Sequence, residues 1–294
     1  MSLTSEVRIS CAEIAASARW VTIDLDAAAE VQPLQPPPLD PDCHYLEGEP
    51  DAVASYLLTL DAINFGSGWF PQLRKRMVDG RPVSGYYTIA WGLSDRFRAD
   101  GQWSAAELRA LRTDELAAVL GQPASLELMA LYTQALRDLG RFLGQRTAAA
   151  LVTEARSSAV RFAGSLAHGM AMFNDTGFYK RAQIAAHDLA LAGVADFKDL
   201  DELTIFADNL VPHVLRCDGV LVYDSWLATR IDSGQTLRMG PAERELRACA
   251  VHACELIAAR TGVPARVLDS WLWNRGQSPE YKARPRHRCR TVFY

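Results

Sequence analysis

From residue 51 onward, apolar residues return every three or four positions in one segment after another, while the alternation a half-buried strand needs is confined to 20–24 and 44–47. A chain with that pattern buries helix faces against helix faces, so the fold class expected is mostly α, as a single compact helical domain with few short strands. Val53, Tyr56, Leu57, Leu60 and Ile63 mark the first such helix, with Asp51 as its expected N-cap. Ser104 and Glu107 form a capping box ahead of Leu108 and Leu111, and Thr113 opens a short helix that Gly121 and Pro123 end. The broadest apolar face lies on 125–142, from Leu128 to Phe142. Helices are also expected over 147–168, 180–191, 241–260 and 264–274. No repeat of solenoid length occurs.

Five prolines in PLQPPPLDP, residues 33–41, cannot be helix interior and predict an extended connector. The chain is therefore divided into an N-terminal helical segment with its connector, residues 1–45, and a helical catalytic domain, 46–294. Both the apolar share of 49% and the mean hydropathy of -0.06 fit a globular chain and leave no membrane bundle. The first twenty residues have no apolar run behind a basic stretch, so a cytoplasmic address is expected. Six cysteines without a CxxC pair are expected to be reduced. A net charge of -4 draws the chain to neither nucleic acid nor an anionic membrane. Phosphate recognition must then be local, and one local concentration exists: KARPRHRCR, 282–290, holds five Lys/Arg and His287.

Dinucleotide, Walker, GxSxG and HExxH motifs are absent, and the six histidines stand without ligand-spaced partners, so neither a metal nor a cofactor is expected. Acid, lysine and aromatic chemistry remains, and it gathers in four segments. In LDAINFGSGWF, 60–70, Asp61 and Asn64 lie one turn apart before a Gly-Ser-Gly loop. This is either a helix end with a flexible turn or a cleft in which Phe65 and Trp69 stack on a base. In GFYKRAQ, 177–183, Phe178 and Tyr179 precede Lys180, which is either a solvated lysine or a cation at the unfavourable end of a helix dipole that an anionic ligand would relieve. In ELTIFADNLVPHVLR, 202–216, Asp208 sits between two apolar runs, as a cap for the helix carrying Pro212, as a partly desolvated reactive acid, or as both. The fourth combines LDSWLWNRG, 268–276, with a basic tail that ends in Val292-Phe293-Tyr294. That apolar ending predicts a tail that folds back and holds Arg286, His287, Arg288 and Arg290 near the body, as a phosphate site requires.

The same segments closely resemble the queuosine salvage proteins, the queuosine 5'-phosphate N-glycosylase/hydrolases. The stretches that carry the resemblance are LDAINF at 60–65, SGYY at 84–87, FYKRAQI at 178–184, FKDL at 197–200, TIFADNLVPHVL at 204–215, ELRAC at 245–249, Leu268-Asp269, Leu272-Trp273 and HRCRTVFY at 287–294. They run from about residue 50 to the end, and the first 45 residues match poorly. The resemblance implies an all-helical scaffold similar to DNA glycosylases, and release of queuine, a 7-deazaguanine base, from the nucleoside 5'-phosphate. It places the catalytic acid on Asp208 and the active-site lysine on Lys180. Helix-hairpin-helix DNA glycosylases carry a Gly-rich hairpin between these two residues; here only Gly193 intervenes, so stable nucleic-acid binding is not expected.

Breaking an N-glycosidic bond builds positive charge on the ribose, which an ionised carboxylate beside C1' stabilises, or relieves by activating water. Asp208 suits that task. A 7-deaza base has no N7 to protonate, so its departure needs hydrogen bonds elsewhere on the ring, with Asp61, Asn64 or Asp269 available. Substrate contacts are accordingly expected from Asp61, Asn64, Phe65, Phe178, Tyr179, Asp269, Trp273, His287, Arg288 and Tyr294, with catalysis by Asp208 and Lys180, the lysine either contacting the phosphate or positioning Asp208 by charge, and Arg288 and its neighbours standing second for the phosphate. Two other readings stand beside this one. The chain could be a nucleic-acid glycosylase or lyase with Lys180 as Schiff-base nucleophile, or a non-catalytic RNA-binding module that uses the 282–290 cluster.

Overall fold

A computed structural model describes residues 1–294. The chain enters through helix α1 (Leu3–Ala16), strand β1 (Val21–Ile23) and helix α2 (Leu25–Glu30), with Ser2 and Asp24 as N-caps whose side chains accept backbone N–H groups. The proline-rich stretch that follows is extended up to a turn at 41–44. The strand expected at 44–47 does not form: the carbonyls of Pro41 and His44 accept from the Arg98 guanidinium at 2.8 and 3.0 Å, which satisfies this backbone without a neighbouring strand. Helix α3 (Pro50–Ala62) begins earlier than expected, with Glu49 as N-cap. Pro50 fits the first turn because its missing N–H is unpaired there anyway, and the Asp51 carboxylate instead accepts from Ala149 N–H at 2.8 Å.

A two-rung hairpin, β2 (Met77–Val78) with β3 (Arg81–Pro82), leads into α4 (Gly85–Asp100). Then come α5 (Ala105–Ala110), which shows both halves of the Ser104/Glu107 capping box, and α6 (Thr113–Val119). Helix α7 (Glu127–Leu143) buries Leu128, Met129, Tyr132, Leu136 and Leu139 on the face that the spacing marks. The stretch expected as one helix over 147–168 is two, α8 (Ala148–Glu154) and α9 (Ala159–Gly169). Arg156 and Ser157 separate them in the left-handed region, at φ 50° and 55°, after which the Ser158 hydroxyl caps α9.

Helix α10 (Lys180–Leu191) is packed on α3 and α9; α11 (Val211–Cys217), β4 (Leu221–Tyr223) and α12 (Ser225–Asp232) follow. Strand β4 pairs antiparallel with β1, Thr22 opposite Val222. Helix α13 (Pro241–Thr261) runs beneath α1, and α14 (Ala265–Arg275) and α15 (Pro279–Lys282) precede the C-terminal tail. One apolar cluster extends from Leu3, Val7 and Cys11 to Leu272 and Tyr281, so the N-terminal segment shares the core of the body. No helix is long and apolar enough to cross a membrane.

Candidate active site

A cavity of about 890 Å³ lies where the end of α3, the start of α10, the loop before α11, the inner face of α14 and the C-terminal tail converge. That volume suits a small molecule of nucleotide size. Lys180 is positioned by an unusual backbone: Tyr179 is left-handed at φ 50°, which turns the chain sharply into α10. The lysine is 4% exposed, and its Nζ donates to the Asn64 carbonyl at 3.1 Å and to Asn64 Oδ1 at 3.3 Å. Burial holds its ammonium below the ordinary value, and Asp208 is the strongest charge acting the other way, ahead of Asp61 and Asp269. Local carboxylates therefore answer the helix dipole at Lys180.

Asp208 does two jobs with two oxygens. Its Oδ1 accepts from Leu210 N–H at 2.6 Å and Val211 N–H at 3.2 Å, closing the first turn of α11, where Pro212 has no N–H to offer. Both of its bonds to the protein use that oxygen. Oδ2 accepts no hydrogen bond from the protein, and the residue lines the cavity.

Three further carboxyls surround the lysine. Asp61 is fully buried behind Asn64, whose amide donates to its Oδ1 at 3.5 Å, while Oδ2 has no partner. Burial and then the charge of Asp188 push it well above the usual carboxylate range. Asp269, on α14, accepts from Phe206 N–H at 2.8 Å and is pushed up to about 8 by burial, then by the charge of Asp208. Asp188 is raised to about 7 by burial, against the pull of Lys180. Sequence reasoning missed Asp188. The signal was its place eight residues after Lys180, which returns a helix to the same face, with Ile184 between them on the cavity wall.

The aromatic wall is also only partly the expected one. Trp273 lines the cavity and meets Tyr86 and Tyr87 edge-on, at ring separations of 5.3 and 5.7 Å; the SGYY motif supplied two site residues that were not singled out. Phe65 lines it as well, yet its ring is held edge-on by Tyr132 and covered by the Arg181 guanidinium. Phe178 and Tyr179 do not line it. The Phe178 ring lies under Arg247 at 3.9 Å, and the Tyr179 hydroxyl donates to Glu6 of α1 at 2.8 Å. Trp69 also turns away, donating its indole N–H to Glu127 at 2.7 Å. In each case a charged partner outside the cavity claims the ring or its polar tip.

The tail folds back as its apolar ending predicts. Arg181, fully buried, donates to the carbonyls of Ala62, Met172 and Val292; Gly66 N–H donates to the Tyr294 carbonyl at 2.9 Å; Asn209 donates to the His287 carbonyl at 3.0 Å. The Gly66-Ser67-Gly68 loop is a docking surface for this tail. A Cβ at Gly68 would stand 2.4 Å from the Cys289 carbonyl oxygen, and Gly66 has φ 98°. Tyr294, Arg286 and Arg288 reach the cavity. His287 does not: it is buried against Tyr294, held neutral by burial with its pKa down to about 3. Arg290 faces outward, 3.7 Å from Glu127.

A helical scaffold enclosing a nucleotide-sized cavity, with a buried lysine ringed by carboxyls and two guanidinium groups beside them, defines a small-molecule site built around charge. The model of a family described as queuosine salvage protein matches residues 43–294, and the chain belongs to that family. It is similar to the queuosine 5'-phosphate N-glycosylase/hydrolase of Sphaerobacter thermophilus, 30% identical over 94% of both chains. It is also similar to the protein of that name from Nematostella vectensis, 27% identical over 83% of this chain and 82% of the other, and to that of Bos taurus, 34% identical over 40% of each.

Proposed function

We propose that this protein hydrolyses the N-glycosidic bond of queuosine 5'-phosphate, yielding free queuine and ribose 5-phosphate, as the names of its relatives imply. The observation that carries the reading is the division of labour at Asp208. One oxygen is fixed by two backbone N–H groups, the other accepts no hydrogen bond from the protein, and the residue lines a cavity that also holds Lys180, Arg286 and Arg288. A carboxylate fixed in this way stabilises the positive charge that grows on the ribose as the bond to the base breaks, and takes a proton from the water that attacks C1'. The bonding electrons leave with the base. Asp269, still protonated at neutral pH, donates the hydrogen bond or proton the departing 7-deaza ring needs. Lys180 holds the charge balance around Asp208, and Arg286 and Arg288 hold the 5'-phosphate.

Neither rival gains an observation of its own. The Schiff-base reading needs a free amine, and Nζ of Lys180 is held by Asn64; the RNA-module reading needs a free basic tail, and residues 287–294 are docked. The test is to incubate the protein with queuosine and with its 5'-phosphate and to look for queuine by mass. Release from the phosphate form is expected. No queuine from either compound overturns the proposal.

A further inference from the structure

The cavity carries more positive charge than one phosphate calls for. Six cationic side chains line it, and two of them are accounted for: Lys180 sits among the carboxyls described above, and Arg284 pairs with Asp232 at 3.6 Å. Lys75, Lys282, Arg286 and Arg288 remain, and no carboxylate forms an ion pair with any of the four. All four line the same cavity, and three of them, Lys282, Arg286 and Arg288, follow closely on one stretch of chain. The charges acting on Arg286 are those of Asp208 and Arg288, and those acting on Lys282 are Arg286 and Lys75. Arg286 and Arg288 are half-buried in the cavity with Asp208, whereas Lys75, ahead of β2, and Lys282, at the end of α15, are exposed, which places the two lysines at its rim.

Such a group of like charges is unfavourable without an anion to separate it. Partial desolvation, and after it the positive charges of Arg286 and Lys75, hold the Lys282 ammonium below its ordinary value. A single phosphate monoester carries no more than two negative charges and is satisfied by the inner pair, since two guanidinium forks supply more donors than its terminal oxygens need. The lysines are point charges on flexible stems, suited to a mobile outer phosphoryl group.

We infer that the cavity has a second, outer phosphate subsite formed by Lys75 and Lys282, so that the protein also accepts nucleoside 5'-diphosphates bearing the same base. This rests on the reaction proposed above and extends it to a second substrate class. Hydrolytic breakdown of RNA can release nucleoside 5'-monophosphates, whereas breakdown in which inorganic phosphate attacks the chain releases 5'-diphosphates. A site with both positions takes the products of both classes of reaction.

The experiment has a kinetic arm and a binding arm. Base release is measured from queuosine 5'-monophosphate and 5'-diphosphate with the natural chain and with Lys75→Ala/Lys282→Ala, a double change at exposed positions. The natural chain is expected to use the two nucleotides with kcat/KM values within about fivefold, and the double variant to lose about tenfold or more on the diphosphate while changing less than about threefold on the monophosphate. In parallel, binding of inorganic pyrophosphate and of orthophosphate is measured by calorimetry on the full chain. Pyrophosphate should bind at least about tenfold more tightly, and the double variant should abolish the difference. Equal loss on both nucleotides, a diphosphate that is not cleaved, or pyrophosphate that binds no better than phosphate overturns the outer subsite even if the monophosphate is cleaved well. The converse result is separate: pyrophosphate held through Lys75 and Lys282 with no base released from either nucleotide supports the subsite and sinks the proposed reaction.

Discussion

Asp208 shows how one side chain can be structural and reactive at once, and the two roles separate cleanly in an amide. Asp208→Asn keeps an oxygen for Leu210 and Val211 N–H, so the variant should fold with an unchanged thermal midpoint. Without the charge it cannot stabilise the ribosyl cation, and turnover should fall by roughly 10³-fold or more; a rate within tenfold of the natural chain would take Asp208 out of the chemistry. Asp269 allows a test by pH. Its carboxyl titrates near 3.9 when unfolded and at about 8 when folded. Between those values the folded state binds the extra proton, so stability falls as pH rises from about 4 to about 8. Asp269→Asn should flatten that slope in urea unfolding at pH 5 and pH 8, whereas an unchanged slope would mean that this carboxyl is ionised in the fold. Lys180 and Asp208 stood out in the sequence because each is a charged group placed where local structure alone leaves it unfavourable or unexplained, whereas Asp269 stood out only through the family resemblance. Asp188 did not: an acid inside a helix reads as a solvated face until the packing of α10 shows that the face is buried.

At the scale of elements, helices were legible from the return of apolar residues, and their interruptions were not. Arg156 and Ser157 adopt left-handed conformations that nothing in their side chains demands, and the pairing of β1 with β4 joins three-residue strands too short for alternation to mark. The Gly-Ser-Gly loop reads in sequence as a flexible turn, yet its glycines are there to let the tail approach. Gly68→Ala sets a Cβ against the Cys289 backbone at 2.4 Å, and backbone cannot rotate aside. The tail must shift, and Arg288 one residue before Cys289 shifts with it. The variant should lose about 1–3 kcal/mol of stability and should raise KM for the 5'-phosphate substrate more than KM for queuosine. A KM that rises equally for both compounds would mean that the tail shapes the whole cavity and does not hold the phosphate in particular.

The whole molecule joins a family-matched body, residues 43–294, to an N-terminal segment that the match leaves out. The sequence reads as though that segment were hung on a proline connector, and the connector itself was legible because proline forbids helix. Its destination was not, since only the fold brings Pro37, Pro38 and Asp40 to the cavity wall. Besides its share of the core and the Tyr179–Glu6 bond, the segment is fastened at a buried residue of α13. Glu245, 5% exposed, accepts from the N–H groups of Arg19, Trp20 and Val21 at 2.9, 2.5 and 2.8 Å and so sets the start of β1. Removing the carboxylate in Glu245→Ala leaves these donors without their partner at a cost of roughly 3 kcal/mol. The segment shares one apolar cluster with the body, so the loss should appear as a lower midpoint for a single cooperative unfolding transition, and the loosened cavity wall should raise KM for either substrate. If instead the midpoint holds, KM is unchanged and only the first thirty residues become open to protease, the N-terminal segment is an appendage and the cavity is complete without it.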